Sequence, residues 1–263
     1  MRPVTTLLSL MSMSVRARRQ YKVTFTLSVM STLLMFAAEF SLVYFLGQKV
    51  GAIHGWTPAQ LTVLYVGTLL ASALEVVFVS NLRNFDRELV DGGLDLKLLK
   101  PMHPLLQLIG QISVDAIAMP LFCIAALAFT LHETLELWTW VNVAIFLTGI
   151  LGGALIFSSF TVLSAAFAFW TFDSNSIYEI TRKGTRQLLW YPLDIYGVAV
   201  RTVLFTVLPV AFVAYVPVQF IVGRSTELPW WMALSGPCIG LVSLSISLLV
   251  WHAGLRRYQG TGS

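Results

Sequence analysis

Long, uninterrupted apolar runs joined by short polar connections make up most of the 263-residue chain. Five are clear, at about 23–46, 61–80, 105–131, 138–170 and 230–251. A sixth lies within 191–223, and its charge-free part covers 202–222. A helix crosses the roughly 30 Å of membrane hydrocarbon with about 20 apolar residues. The runs are continuous and do not alternate with period two, so they predict helices and not the strands of an outer-membrane barrel. The expected fold is an all-α integral membrane protein, one transmembrane domain of six spans filling residues 1–263. The run 138–170 is longer than an upright span requires, which implies tilt or extension beyond the bilayer, and its Gly149, Gly152 and Gly153 would allow close helix contact.

Composition agrees. Apolar residues make up 57% of the chain and charged residues 11%, less than half the charge of an average soluble domain (about 25%). A soluble fold could not cover its surface with so few charges, and a disordered chain would be polar. Cys123 and Cys238 lie inside apolar runs without a second cysteine or a histidine at ligand spacing, and so read as small packing residues. No metal or cofactor site is expected in this chain.

The net charge is +4, but its placement says more than its sum. Five Lys or Arg precede the first run (Arg2, Arg16, Arg18, Arg19, Lys22). Four lie in 81–104, three in 171–190 (Arg182, Lys183, Arg186) and two near the C-terminus (Arg256, Arg257). The alternate connections hold only Lys49 and Arg224, with Arg201 at the edge of the sixth run. Fourteen against two places both termini in the cytoplasm by the positive-inside rule. Trp56, Trp138, Trp140, Trp230 and Trp231 fall at predicted outer edges; Trp170, Trp190, Tyr191 and Trp251 fall near inner ones. Leu7, Leu8, Met11 and Val15 share a helical face ahead of the basic cluster, which predicts an amphipathic interfacial helix and not a signal peptide.

The densest charge cluster is 81–104, NLRNFDRELVDGGLDLKLLKPMHP. Leu82, Phe85 and Leu89 fall on one helical face, with Arg83, Asp86, Arg87 and Glu88 on others. Gly92-Gly93 supplies a stop, Leu94, Leu98 and Leu99 form a second short face, and Pro101 and Pro104 end it. The segment reads either as a plain solvated connection or as a docking element, an apolar ridge with charges fixing its register in a partner's groove.

The string Asp91-Gly-Gly-Leu-Asp95 followed by Leu98-Leu-Lys-Pro101 resembles the first cytoplasmic loop of type-2 ATP-binding-cassette (ABC) exporter permeases, in particular their small six-span bacterial subfamily. Phe169-Trp170, Tyr191-Pro192-Leu193, Ile195-Tyr196, Arg201, Pro209–Phe212 and Pro217 are similar to the C-terminal half of that subfamily. The resemblance implies that 81–104 carries a coupling helix that docks on a cytoplasmic ATPase subunit. It assigns that contact to the region of Leu82, Arg83, Phe85, Asp86, Arg87, Glu88, Leu89, Asp91, Leu94, Asp95 and Leu98. It also implies two ATPase copies that bind ATP and Mg, a second permease chain (identical or divergent), and a multi-pass location in a bacterial plasma membrane. No nucleic-acid partner is expected. The chain has no G-x-x-x-x-G-K-[ST], so nucleotide chemistry must lie in another subunit. No importer-type loop is evident, which favours export.

Ionisable residues inside spans are costly and often functional. Glu39 and Asp115 are the candidates for a substrate path, alternatively paired between helices; Glu75 and Arg201 read more readily as structural, and a Glu39–Arg201 pair is conceivable. The stretch 172–190 reads as a cytoplasmic loop or interfacial helix because of its three basic residues; likeness to larger family members leaves open a polar fifth span, with 191–223 re-entering from outside. An intramembrane enzyme is disfavoured, since His54, His103, His132 and His252 lie at edges and no H-E-x-x-H occurs. An ion-coupled secondary transporter acting without an ATPase is the alternative function, although no internal repeat accompanies the breaks at Pro120, Pro209 and Pro217.

Overall fold

The computed structural model describes residues 22–50, 54–109, 118–224 and 228–259. Its elements are α1 (Lys22–Val50), α2 (Pro58–Val79), α3 (Phe85–Val90), α4 (Gly93–Leu98), α5 (Pro104–Ile109), α6 (Ala118–Thr134) and α7 (Trp140–Thr171), followed by a helical stretch α8 (175–188), α9 (Val198–Thr206), α10 (Tyr215–Ile221) and α11 (Gly236–Arg257). No strand occurs among the described residues. The chain is an all-α membrane protein. The interfacial helix expected before residue 20 and the candidate Asp115 lie outside the described residues.

Among the described residues, α1, α2, α6, α7 and α11 are long and apolar enough to cross a bilayer. At the start of α2, the Thr57 hydroxyl accepts from the Gln60 N–H, the Gln60 side chain accepts from the Thr57 N–H, and Pro58 occupies the first turn, where no N–H is needed. This helix is the hub, with Leu61, Val63, Leu64 and Val66 fully buried. α1 and α6 close one side of it through Phe36–Phe122 and Tyr44–Phe129, with ring centroids 6.0 and 5.4 Å apart. α7 and α11 approach at backbone distance. A Cβ on Gly152 would lie 2.7 Å from Gly236 Cα, and one on Gly240 would lie 2.8 Å from the Gly152 carbonyl oxygen. Without a hydrophobic drive between helices in lipid, such small-residue contacts hold a bundle together. The outward faces carry Leu27, Leu34, Phe45, Ile124, Phe129, Val242 and Leu249, all exposed, as lipid requires.

The expected continuous span at 202–222 is not formed. α9 stops at Thr206, a short 3-10 turn covers Val210–Phe212, and α10 starts at Tyr215. Pro209 has no N–H to extend the first helix and sits at the break. Val213 packs against the sites of Gly153 and Ala71, midway along α7 and α2. Pro217 packs on Gly149, and Ile221 accepts from Asn142 Nδ2 at 3.5 Å near the start of α7. α10 therefore runs back toward the end that holds Trp56, and the segment is a hairpin dipping into the bundle.

The stretch 172–190, read as a cytoplasmic loop or interfacial helix with a polar fifth span left open, forms helix α8, made of Asn175–Tyr178, a π-helical turn at Glu179–Gly184, and Thr185–Leu188. Its contacts climb the bundle in order. Ser174 meets Arg83 and Asp86, Arg182 meets Glu75, Arg186 meets Glu39, and Asp194 just beyond meets Trp56. Hydropathy does not register it because Arg182 and Arg186 are met by carboxylates on other helices. Trp190 and Tyr191 follow its end, a few residues before Asp194 meets Trp56, and so fall toward the end opposite to the edge their spacing suggested.

Candidate functional site

The segment 81–104 folds as a platform across the end of the bundle that carries most of the basic residues. A 3-10 turn (Ser80–Asn84) leads into α3, and Gly92 takes a left-handed conformation (φ 69°) that reverses the chain into α4. A Lys97–Glu88 ion pair ties the two short helices. The Gln107 amide, from α5, donates to the carbonyls of Lys97 (2.9 Å) and Met102 (2.8 Å). Gln107 thereby satisfies the exposed end of α4.

The apolar ridge faces inward, which corrects the docking assignment. Leu82, Phe85, Leu89 and Leu94 are fully buried and join Leu105, Leu108, Val162, Ala165 and Trp251 in a second core. Phe85 lies 4.8 Å from Trp251 and 5.2 Å from Phe169, ring centre to ring centre. Arg83, Asp86 and Glu88 also turn toward the protein. Arg83 Nε donates to Asn175 (3.3 Å) and its Nη2 reaches Glu179 (3.4 Å). The Ser174 hydroxyl lies 2.9 Å from both the Arg83 carbonyl and Asp86 Oδ1, and accepts from the Asp86 N–H. Of the expected contact residues Arg87, Asp91 and Leu98 are exposed, and Arg83, Asp86, Glu88 and Asp95 are partly so. Leu99, from the second short face, shares that outer surface and is 83% exposed, together with Val90, Leu96 and Lys100, which spacing does not single out. A groove of about 400 Å³ lined by Asn81, Asn84, Arg87, Glu88, Asp91 and Leu108 runs beside them. Where the platform meets α11, His103 and His252 rings lie 5.4 Å apart, and burial, then the neighbouring His252, pushes the His103 pKa down.

Above the platform the charges inside the bundle are arranged in pairs. Glu75 accepts from Arg182 Nε (3.0 Å) and Nη2 (2.6 Å) through one oxygen and from the Thr161 hydroxyl (2.7 Å) through the other. Arg182 Nη2 also donates to Ser72 (2.7 Å), and the guanidinium covers the Phe157 ring at 3.9 Å. Glu75 and Arg182 are both buried. Glu39 is held by the Tyr65 hydroxyl (3.1 Å) and Arg186 (3.4 Å), not by Arg201, which faces Asp194 at 3.8 Å. Glu39 is thus neutralised and is not a bare anion awaiting a cation. Asp194 also accepts from Trp56 Nε1 at 3.0 Å and from Tyr215. A cavity of about 270 Å³ opens between α1, α2, α6 and α8 beside these pairs. No group of three or more metal-ligating side chains occurs among the described residues.

The fold is an all-α membrane bundle with a polar helix inside it and a folded platform at one end. The chain belongs to the ABC-2 transporter family: the model described as "ABC-2 family transporter protein" matches residues 33–262. Permeases of this family are membrane components that work with a cytoplasmic ATPase partner. No curated protein and no solved structure matches the chain.

Proposed function

We propose that the chain is the permease subunit of an ATP-driven exporter, with six crossings formed by α1, α2, α6, α7, α8 and α11 and both termini in the cytoplasm. Moving Arg182, Lys183 and Arg186 from a loop into α8, and counting Arg201 with Lys49 and Arg224 at the Trp56 end, leaves eleven inner basic residues against three, so the charge asymmetry still supports this orientation. The observation that carries the reading is the platform: its inner face is bolted to α7 and α11 through Phe85, Phe169 and Trp251, and to α8 through Ser174. Its outer face offers Val90, Leu96, Leu98 and Leu99 with Arg87 and Lys100 at the rim. Two permease chains would carry two ATPases. Closure of the ATPases on nucleotide would press on the outer face, and the rigid inner contacts would tilt α8 and α11 together, switching cavity access. The free energy comes from the ATPases' different nucleotide affinity in the two states, not from chemistry in this chain.

The test uses the chain co-purified with its ATPase. Leu96→Ser with Leu99→Ser is expected to abolish transport-linked ATPase stimulation while thermal stability stays within a few degrees. Phe85→Ser is expected to unfold the platform, costing about 3–5 kcal/mol as for other large core truncations. Normal coupling in the Leu96/Leu99 variant would remove the docking assignment.

A further inference from the structure

The cavity between α1, α2, α6 and α8 is lined on its polar side by Arg83, Arg182, Lys183 and Arg186. Among the described residues, three carboxylates answer these four cations. Glu75 is saturated by Arg182 and Thr161; Glu179 is shared by Arg83 (3.4 Å) and Lys183 (2.7 Å); Glu39 reaches Arg186 at 3.4 Å. Arg182 Nη1 makes no hydrogen bond to any described residue although the side chain is buried. Arg83 and Lys183 are each about two-fifths exposed and free to turn toward a stronger anion. The opposite wall is apolar, from Met35, Phe36, Val76 and Met119, and Met35 belongs to the exposed apolar face of α1. Low-dielectric walls focus the field of the cations into the cavity.

We infer that this cavity binds the anionic head, a phosphate or a group of like charge and shape, of an amphiphile whose hydrocarbon part lies along Met35 and Met119. Arginine forks suit phosphate oxygens, and the opening beside exposed α1 side chains admits a chain from the lipid. Binding itself does not depend on the exporter reading; taking this ligand class as the transported substrate does.

The test measures retention of radiolabelled dodecyl phosphate by the full-length chain in phosphatidylcholine nanodiscs, without any ATPase, so that failure here and failure of coupling are separate results. Saturable binding is expected. Excess inorganic phosphate and dodecyltrimethylammonium should compete at least tenfold less well than unlabelled dodecyl phosphate. Arg83→Gln with Lys183→Gln should weaken binding about tenfold, and Lys49→Gln, at the far end of α1, should leave it unchanged. Glu179→Gln, which frees the two cations, should tighten it severalfold, a direction that misfolding cannot produce. Equal competition by inorganic phosphate would make this a site for a free anion, equal competition by the cationic amphiphile would make it a greasy crevice, and indifference to both charge variants would place the ligand elsewhere; each overturns the inference.

Discussion

At the scale of single residues, the bundle depends on charges that cancel. An ion pair out of water depends on close geometry and further hydrogen bonds, as Ser72 and Thr161 supply here, and removing one partner leaves an unpaired charge that costs about 3–5 kcal/mol. Arg182→Met is therefore expected to lower the melting temperature of the purified chain sharply, whereas Glu75→Leu with Arg182→Met should recover most of the loss. A double variant as unstable as the single one would show that Ser72 and Thr161, not the charge, set the stability. His103 gives a second prediction. Its folded pKa lies below the ordinary imidazole value, so the unfolded chain binds more protons between the two values. Stability is then fully present above the unfolded pKa and falls as pH drops toward the folded one. Melting curves from pH 7.5 to 5 should fall less steeply for His103→Gln than for the natural chain.

At the scale of elements, glycine contacts decide how close helices lie. Gly152→Val would drive a side chain into the backbone of α11 at Gly236, and overpacking of this kind costs about 1–3 kcal/mol or more. A broadened or earlier peak in detergent gel filtration would report the splayed bundle. The five long helices were legible in sequence because lipid demands unbroken apolar runs, and Gly149, Gly152 and Gly153 were legible as contact points. α8 was not. Periodicity registers Arg182, Lys183 and Arg186 as solvated, and only the positions of Glu75 and Glu39 on other helices show otherwise. The sixth run misled for the opposite reason: an apolar hairpin whose returning limb is buried has the same composition as a span, and Pro209 was the local sign of its turn. The ridge Leu82–Phe85–Leu89 was correctly read as one apolar face, but a face alone does not say whether its groove belongs to a partner or to the chain's own Phe169 and Trp251.

At the scale of the whole molecule, the two ends differ in what they present. One gathers Trp56, Asp194, Tyr215 and Arg224, whose guanidinium donates to the carbonyls of Gly55 and His54 at 2.8 Å. The other carries the platform. In a variant lacking Cys123 and Cys238, a membrane-impermeant maleimide should label cysteines at positions 57 and 139 in intact cells, and those at 95 and 257 only after permeabilisation. The reverse pattern would turn the bundle over and put the platform out of reach of any cytoplasmic motor.

The matched charges of α8 also bear on how the polypeptide is made. Each of Glu179, Arg182, Lys183 and Arg186 would oppose entry of a lone segment into the membrane by up to about 2.5–3.5 kcal/mol. With α8 as the proposed crossing, this stretch would enter the bilayer paired with Glu75 and Glu39, threaded more than a hundred residues earlier. Fused alone to an insertion reporter, 172–190 should stay outside the bilayer, and the N-terminal half of the chain thereby serves as the chaperone of its own later half.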